Sequence, residues 1–129
     1  MTTTTTTSSR NVALTTSRFA AGLLGSMQLV GAVYFLLIFP EEAVWVGLWL
    51  DVPIVALLLS GALLKLGVAL LPGLPAARRI TMGFLAVGIG AAVTLFKIPV
   101  YNEPEGVLFL AFDAVLLALL TLAWRAAKR

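Results

Sequence analysis

Asp113 has the most chemistry to explain in this 129-residue chain. It sits inside an apolar run from Gly106 to Trp124. Counted from Pro104 it is about nine residues deep, roughly 13 Å along a helix rising 1.5 Å per residue. A carboxylate at that depth in hydrocarbon costs at least about 2.5–3.5 kcal/mol on insertion scales, and aspartate is too short to reach back to water. It must be protonated, paired, or beside a water-filled cavity. The chemistry open to it is a proton or cation site. The structural alternative is a carboxyl paired with lysine or hydrogen-bonded to a neighbouring helix.

Lys65 is the natural partner. It also lies within an apolar run, near the end of that run, so its stem can carry the ammonium about 6 Å toward the headgroups. Counting along antiparallel helices places its Cα about 6–7 Å in depth from that of Asp113, a span its stem covers if the second and fourth helices are adjacent. Lys97 competes for the carboxylate but sits at the end of its own run, where snorkelling suits it better. Gln28 falls near the middle of the first apolar segment, and Ser60 and Thr94 in the outer halves of the second and third. With Asp113 and Lys65 they form a candidate intramembrane polar layer, able either to bond helices together or to line a path for an ion.

These residues need elements to hold them, and the composition says which kind. Hydrophobic residues make up 60% of the chain and charged residues 12%, with a mean hydropathy of +1.04. A soluble domain is about half apolar and a quarter charged, and a small one could not bury this much apolar surface. The expected class is an all-α, polytopic membrane protein in one compact domain. Four apolar segments predict helices over about 19–39, 52–71, 80–98 and 104–125. Each is near the ~20 residues needed to cross a bilayer, and backbone in lipid must bond internally. The expected architecture is a four-transmembrane-helix bundle.

The connecting segments are short. Residues 1–17 are rich in Thr and Ser and lack apolar periodicity, which predicts a disordered tail. Pro40, Glu41 and Glu42 close the first helix. Residues 43–50 follow, with Trp45 and Trp49 four apart, and read as a short interfacial helix. Asp51 reads as the N-cap of the second helix, with Pro53 in its first turn. Residues 71–75 form a turn, and Pro99 ends the third helix. Asn102 and Glu105 have the spacing of a capping box for the fourth. Trp124 is a further interfacial anchor.

Small residues mark where helices can approach closely. Gly22 and Ser26 are four apart, as are Ala86 and Gly90, and Gly88 and Ala92. This spacing suits close helix contact, so Gly22, Ser26, Gly88, Gly90 and Ala92 are the candidate packing residues. It makes the third helix the expected central one, and it equally suits an oligomer face. Gly88-Ile89-Gly90 is not a phosphate loop, because no strand precedes it and no Lys-Ser follows.

Charge assigns an orientation. Arg10, Arg18, Arg78, Arg79, Arg125, Lys128 and Arg129 fall on one side of the spans. Glu41, Glu42, Asp51, Glu103 and Glu105 fall on the other, with Lys97. The positive-inside rule then places both termini in the cytoplasm. The expected location is a bacterial inner membrane, or the equivalent side of an organellar membrane. The basic residues account for the pI near 9.8 as topology determinants, so no nucleic-acid partner is expected.

The chain has no Cys and no His. That excludes disulfide and thiolate chemistry, His-ligated haem, and the usual nucleophile–base pairs. No catalytic residue, metal site or cofactor is expected, and the remaining hydroxyls and carboxylates show no base–nucleophile spacing. The expected partners are the lipid bilayer and either further copies of the chain or a larger membrane complex. Two functions follow. One is a small accessory or structural subunit of a membrane assembly. The other is a small homo-oligomeric transporter or channel that uses Asp113, with Lys65, as an ion or proton site.

Overall fold

A computed structural model shows an all-helical chain. It describes residues 2–38, 48–101, 104 and 106–128, with side chains described over 12–34, 49–101, 104 and 106–127. The helices are α1 (Thr2–Ile38), α2 (Leu48–Leu70), α3 (Ala76–Val100) and α4 (Gly106–Lys128). Each packs on its neighbours in sequence, and α1 also packs on α4, so the four stand at the corners of a square. Contacts such as Gly22 with Ala69, Gly61 with Ala86 and Gly83 with Leu120 run adjacent helices antiparallel.

Three stretches are long and apolar enough to cross a membrane: Trp49–Leu70, Ala76–Val100 and Gly106–Ala127. The expectation of spans is met for these three. α1, whose N-terminal half is rich in Thr and Ser, is not among them. Every helix turns large apolar side chains outward, among them Phe19, Leu63, Leu85 and Val115. The bundle therefore presents hydrocarbon where a soluble bundle would present charge.

Two apolar layers make the core. Ala21, Leu24, Val68, Val87, Leu116 and Leu120 pack together toward the end that holds the α2–α3 turn. Ile54, Val93 and Tyr101 pack toward the opposite end. Between these layers lie Gln28, Lys65, Gly90 and Asp113.

Several boundaries differ from the sequence reading, each for a local reason. Helix α1 starts at Thr2, where a disordered tail was expected over residues 1–17. At its described side chains, polar residues bond within the helix: Thr16 Oγ1 donates to Val12 O at 2.7 Å and Ser17 Oγ to Ala13 O at 2.8 Å. Such back-bonding lets a hydroxyl sit in a helix without a solvent partner. Asp51 is not a cap, because α2 begins three residues earlier at Leu48. Trp49 lies in that first turn, exposed to the surroundings. Pro99 does not end α3. The helix runs on to Val100, and the N–H of Tyr101 donates to Lys97 O at 2.9 Å. A proline near a helix end removes only one bond, and the next residue closes the turn. The expected acidic loop at Glu41 and Glu42, the interfacial residues 43–47 with Trp45, and the capping box at Asn102 and Glu105 lie outside the described residues.

The turn between α2 and α3 is held by arginines. Arg18 donates from Nε and Nη2 to Ala69 O, at 3.2 and 2.8 Å. Arg79 donates from Nη1 to Val68 O at 2.5 Å and from Nη2 to Leu71 O at 2.6 Å. Val68 O and Ala69 O belong to the last turn of α2, which leaves them without intrahelical donors, and Leu71 O follows it directly. Two cations at a helix C-terminus also complement its dipole. Gly73, at φ 71°, supplies the left-handed residue that the turn requires.

Candidate functional site

Charge in the bundle centre is concentrated in one cluster to which all four helices contribute. Lys65 on α2 is completely buried, and Asp113 on α4 nearly so, at 0% and 1% exposure. Lys65 Nζ donates to Asp113 Oδ1 at 2.6 Å and to Gln28 Oε1, from α1, at 2.9 Å. Helix α3 contributes Gly90. A Cβ built there would lie 3.1 Å from Asp113 Oδ2, 3.1 Å from Lys65 Nζ and 3.7 Å from Gln28 Nε2.

The pairing of Lys65 with Asp113 matches one of the alternatives open from the sequence, but its route does not. The lysine stem was expected to bridge adjacent helices. α2 and α4 stand instead at opposite corners of the square, each packed on α1 and α3. Lys65 crosses the bundle axis to reach its partner. Two glycines clear the way. At Gly25 on α1, an added Cβ would stand 3.0 Å from Lys65 Cβ and 3.0 Å from Ala62 O. Gly90 lies beside the ammonium at the other end. Any side chain at either position would meet the lysine.

Other candidate residues fall elsewhere. Ser60 is exposed and donates to Ala56 O in its own helix at 2.8 Å, so it does not join the polar layer. Its hydroxyl is satisfied by the preceding turn of its own helix. Thr94 is buried one turn beyond Gly90, where its methyl lies 3.2 Å from the Cβ position of Gly106. It packs α3 on α4, while the Lys65 ammonium bonds Gln28 and Asp113. Gly22 lies against α2, its Cβ position 3.1 Å from Ala69 Cβ. Ser26, Gly88 and Ala92 are exposed, and nothing lies within 4 Å of the Cβ position at Gly88. Four-residue spacing puts Gly88 and Ala92 on one face, but that face looks out of the bundle. Nor is α3 central; it occupies a corner like the others.

The glycines that pack most tightly are ones the spacing did not single out. A Cβ at Gly83 would lie 2.7 Å from both methyls of Leu120, and one at Gly106 would lie 2.8 Å from Ile98 Cγ1. Gly22, Gly25 and Gln28 recur every three residues along α1. That row marks the face toward α2 and was legible as a pattern.

A second buried polar contact lies nearer the other end of the bundle. The Tyr101 hydroxyl donates to Asp51 Oδ1, and both residues are almost fully buried. This joins the start of α2 to the end of α3. Trp124 meets the ring of Phe84 edge-on, centroids 6.4 Å apart at 86°, and so ties α4 to α3.

The central cluster can hold a charge pair within a low-dielectric bundle and fix the register of four helices at one level. Its chemistry resides in one carboxylate, one ammonium and one amide. No protein-family model, curated protein or solved structure matches this chain.

Proposed function

We propose that this chain is a four-span integral membrane protein that serves as an accessory or structural subunit of a membrane assembly. In this reading, residues 19–38 of α1 form the fourth span, and both termini are cytoplasmic. A bacterial inner membrane is the proposed location, with an organellar membrane as the alternative. The chain carries no catalytic site of its own in this reading. It binds neither cofactor nor nucleic acid, and its partners are lipid and other membrane helices.

The observation that carries the subunit reading is the outward placement of Gly88 and Ala92 on α3. The spacing that lets helices approach closely is turned away from the bundle's own interior, where a second helix can use it. Lys65 meanwhile donates to both Gln28 and Asp113. The test is native mass after gentle extraction from the source membrane. A stoichiometric partner is expected, lost in Gly88→Leu while the thermal stability of the extracted chain is not lowered. A partner-free, monodisperse chain sinks the reading.

The second reading is a small homo-oligomeric transporter or channel with Asp113 as its ion or proton site and Lys65 as counter-charge. One observation favours it: Asp113 Oδ2 is buried and has no hydrogen-bond partner among the described residues. Proteoliposome flux that Asp113→Asn abolishes supports it. Flux that survives in a folded Asp113→Asn chain removes it.

A further inference from the structure

We propose that Arg18 and Arg79, at the end of the bundle that holds the α2–α3 turn, form the headgroup site of a bound anionic phospholipid. The inference rests on the membrane placement of the bundle and on neither of the two functional readings. Arg18 reaches Ala69 O from α1, and Arg79 reaches Val68 O and Leu71 O from α3. Two guanidiniums thus close on one helix end from two sides, near enough for the charge of Arg18 to act on Arg79. A helix C-terminus offers the equivalent of about half a negative charge, so two cations exceed it. Nothing among the described residues supplies the difference. Their carboxylates are Asp51, at the start of α2, and Asp113, in the bundle centre. The sequence has no acidic residue over 1–40 or 52–102.

Donors remain for an outside anion. Arg18 Nη1 and Arg79 Nε bond none of these carbonyls. Neither nitrogen is sealed inside the bundle, since among the described residues only Asp113 Oδ2 is both buried and without a partner. Guanidinium N–H groups suit a phosphate, which accepts several charge-assisted bonds at once. The flanks are apolar. Phe19, next to Arg18, is 75% exposed, and Leu70, next to Ala69, is 72% exposed. A ligand that meets both surfaces carries a phosphate and a hydrocarbon chain. A free phosphate has nothing to lay on the apolar flank. A zwitterionic headgroup brings a cation of its own to a place that already holds two. An anionic phospholipid meets every requirement, and its charge is what draws basic residues to a membrane surface.

The experiment is native mass spectrometry of the full chain in mild detergent. It is titrated with phosphatidylglycerol, with phosphatidylcholine of the same acyl chains, and with inorganic phosphate. The wild type is expected to retain one phosphatidylglycerol at a concentration that leaves phosphatidylcholine unbound. Arg18→Gln is expected to weaken that binding about fivefold. Arg125→Gln, at an exposed arginine on α4, the corner diagonal to α2, is expected to leave it unchanged. Where Arg18→Gln does not fold, amide hydrogen exchange of the wild type over residues 67–71 reads the site, slowed by phosphatidylglycerol and not by phosphatidylcholine. Equal retention of the two lipids overturns the proposal and leaves the membrane placement standing. Equal weakening by Arg18→Gln and Arg125→Gln overturns it too, because the attraction would then be diffuse surface charge. So does slowing of exchange by inorganic phosphate alone to the extent that the lipid gives.

Discussion

Lys65 and Asp113 meet across the diagonal of the bundle, Nζ to Oδ1 at 2.6 Å, from helices that stand at opposite corners. The pair spans the full width of the bundle interior, and Gln28 fixes the ammonium from the third side. Its position between two apolar layers makes each charge depend on the other. Removing one leaves the other buried without compensation.

Single neutralisation should therefore be costly and paired neutralisation mild. Asp113→Leu or Lys65→Met alone is expected to lower stability by about 3–5 kcal/mol, and the double variant to recover most of that. Unfolding of the purified chain in mixed micelles, run as a double-mutant cycle, reads the coupling directly. Additive losses would show that the pair contributes no mutual stabilisation.

Glycine-to-alanine changes should separate by which way the glycine faces. Gly25→Ala pushes a methyl to 3.0 Å from the backbone oxygen of Ala62, which cannot move aside cheaply, and Gly83→Ala meets both Leu120 methyls at 2.7 Å. Each is expected to cost about 1–3 kcal/mol from overpacking. Gly88→Ala meets nothing within 4 Å and should stabilise the isolated chain by about 0.5–1 kcal/mol through helix propensity. Thermal unfolding of the three variants checks the order.

Arg79 and its sequence neighbour Arg78 should behave differently. Arg79 is buried and bonds two carbonyls at the end of α2, whereas Arg78 is exposed. Arg79→Lys keeps the charge but loses the fork, and about 1–3 kcal/mol of stability is expected to go with it. Arg78→Lys should change stability by less than about 0.5 kcal/mol. Amide hydrogen exchange over residues 67–71 should quicken only in the Arg79 variant.

Tyr101→Phe should loosen one end of the bundle and leave the centre intact. It removes the phenolic donor to the buried Asp51 carboxylate, at an expected cost of about 1–3 kcal/mol. The same change should leave the contact between Lys65 and Asp113 unaltered, because Lys65 lies 14 residues beyond Asp51 along α2, about 21 Å of helix. Nuclear Overhauser contacts around Gly90 check that separation.

The apolar runs determined the helical class and three of its candidate spans, since an uninterrupted run of that length has few other ways to satisfy its backbone in lipid. The depth of Lys65 and Asp113 within two such runs was equally legible, because rise per residue converts position into depth without knowledge of packing. Tertiary structure alone decided which helices are neighbours. Nothing in the residue pattern says that α2 and α4 are diagonal, so the path of Lys65 through the bundle axis was invisible. The same holds for the glycines. Four-residue spacing puts Gly88 and Ala92 on one face, yet only rotation of α3 about its axis determines that Gly90 faces the ion pair and Gly88 faces outward. That rotation is set by packing against α2 and α4, as at Gly83 on Leu120 and Gly61 on Ile89. Arg18 and Arg79 read as topology charges for a similar reason. Their charge is local to the sequence, but the α2 carbonyls they bond are positioned by the turn and by the approach of α1.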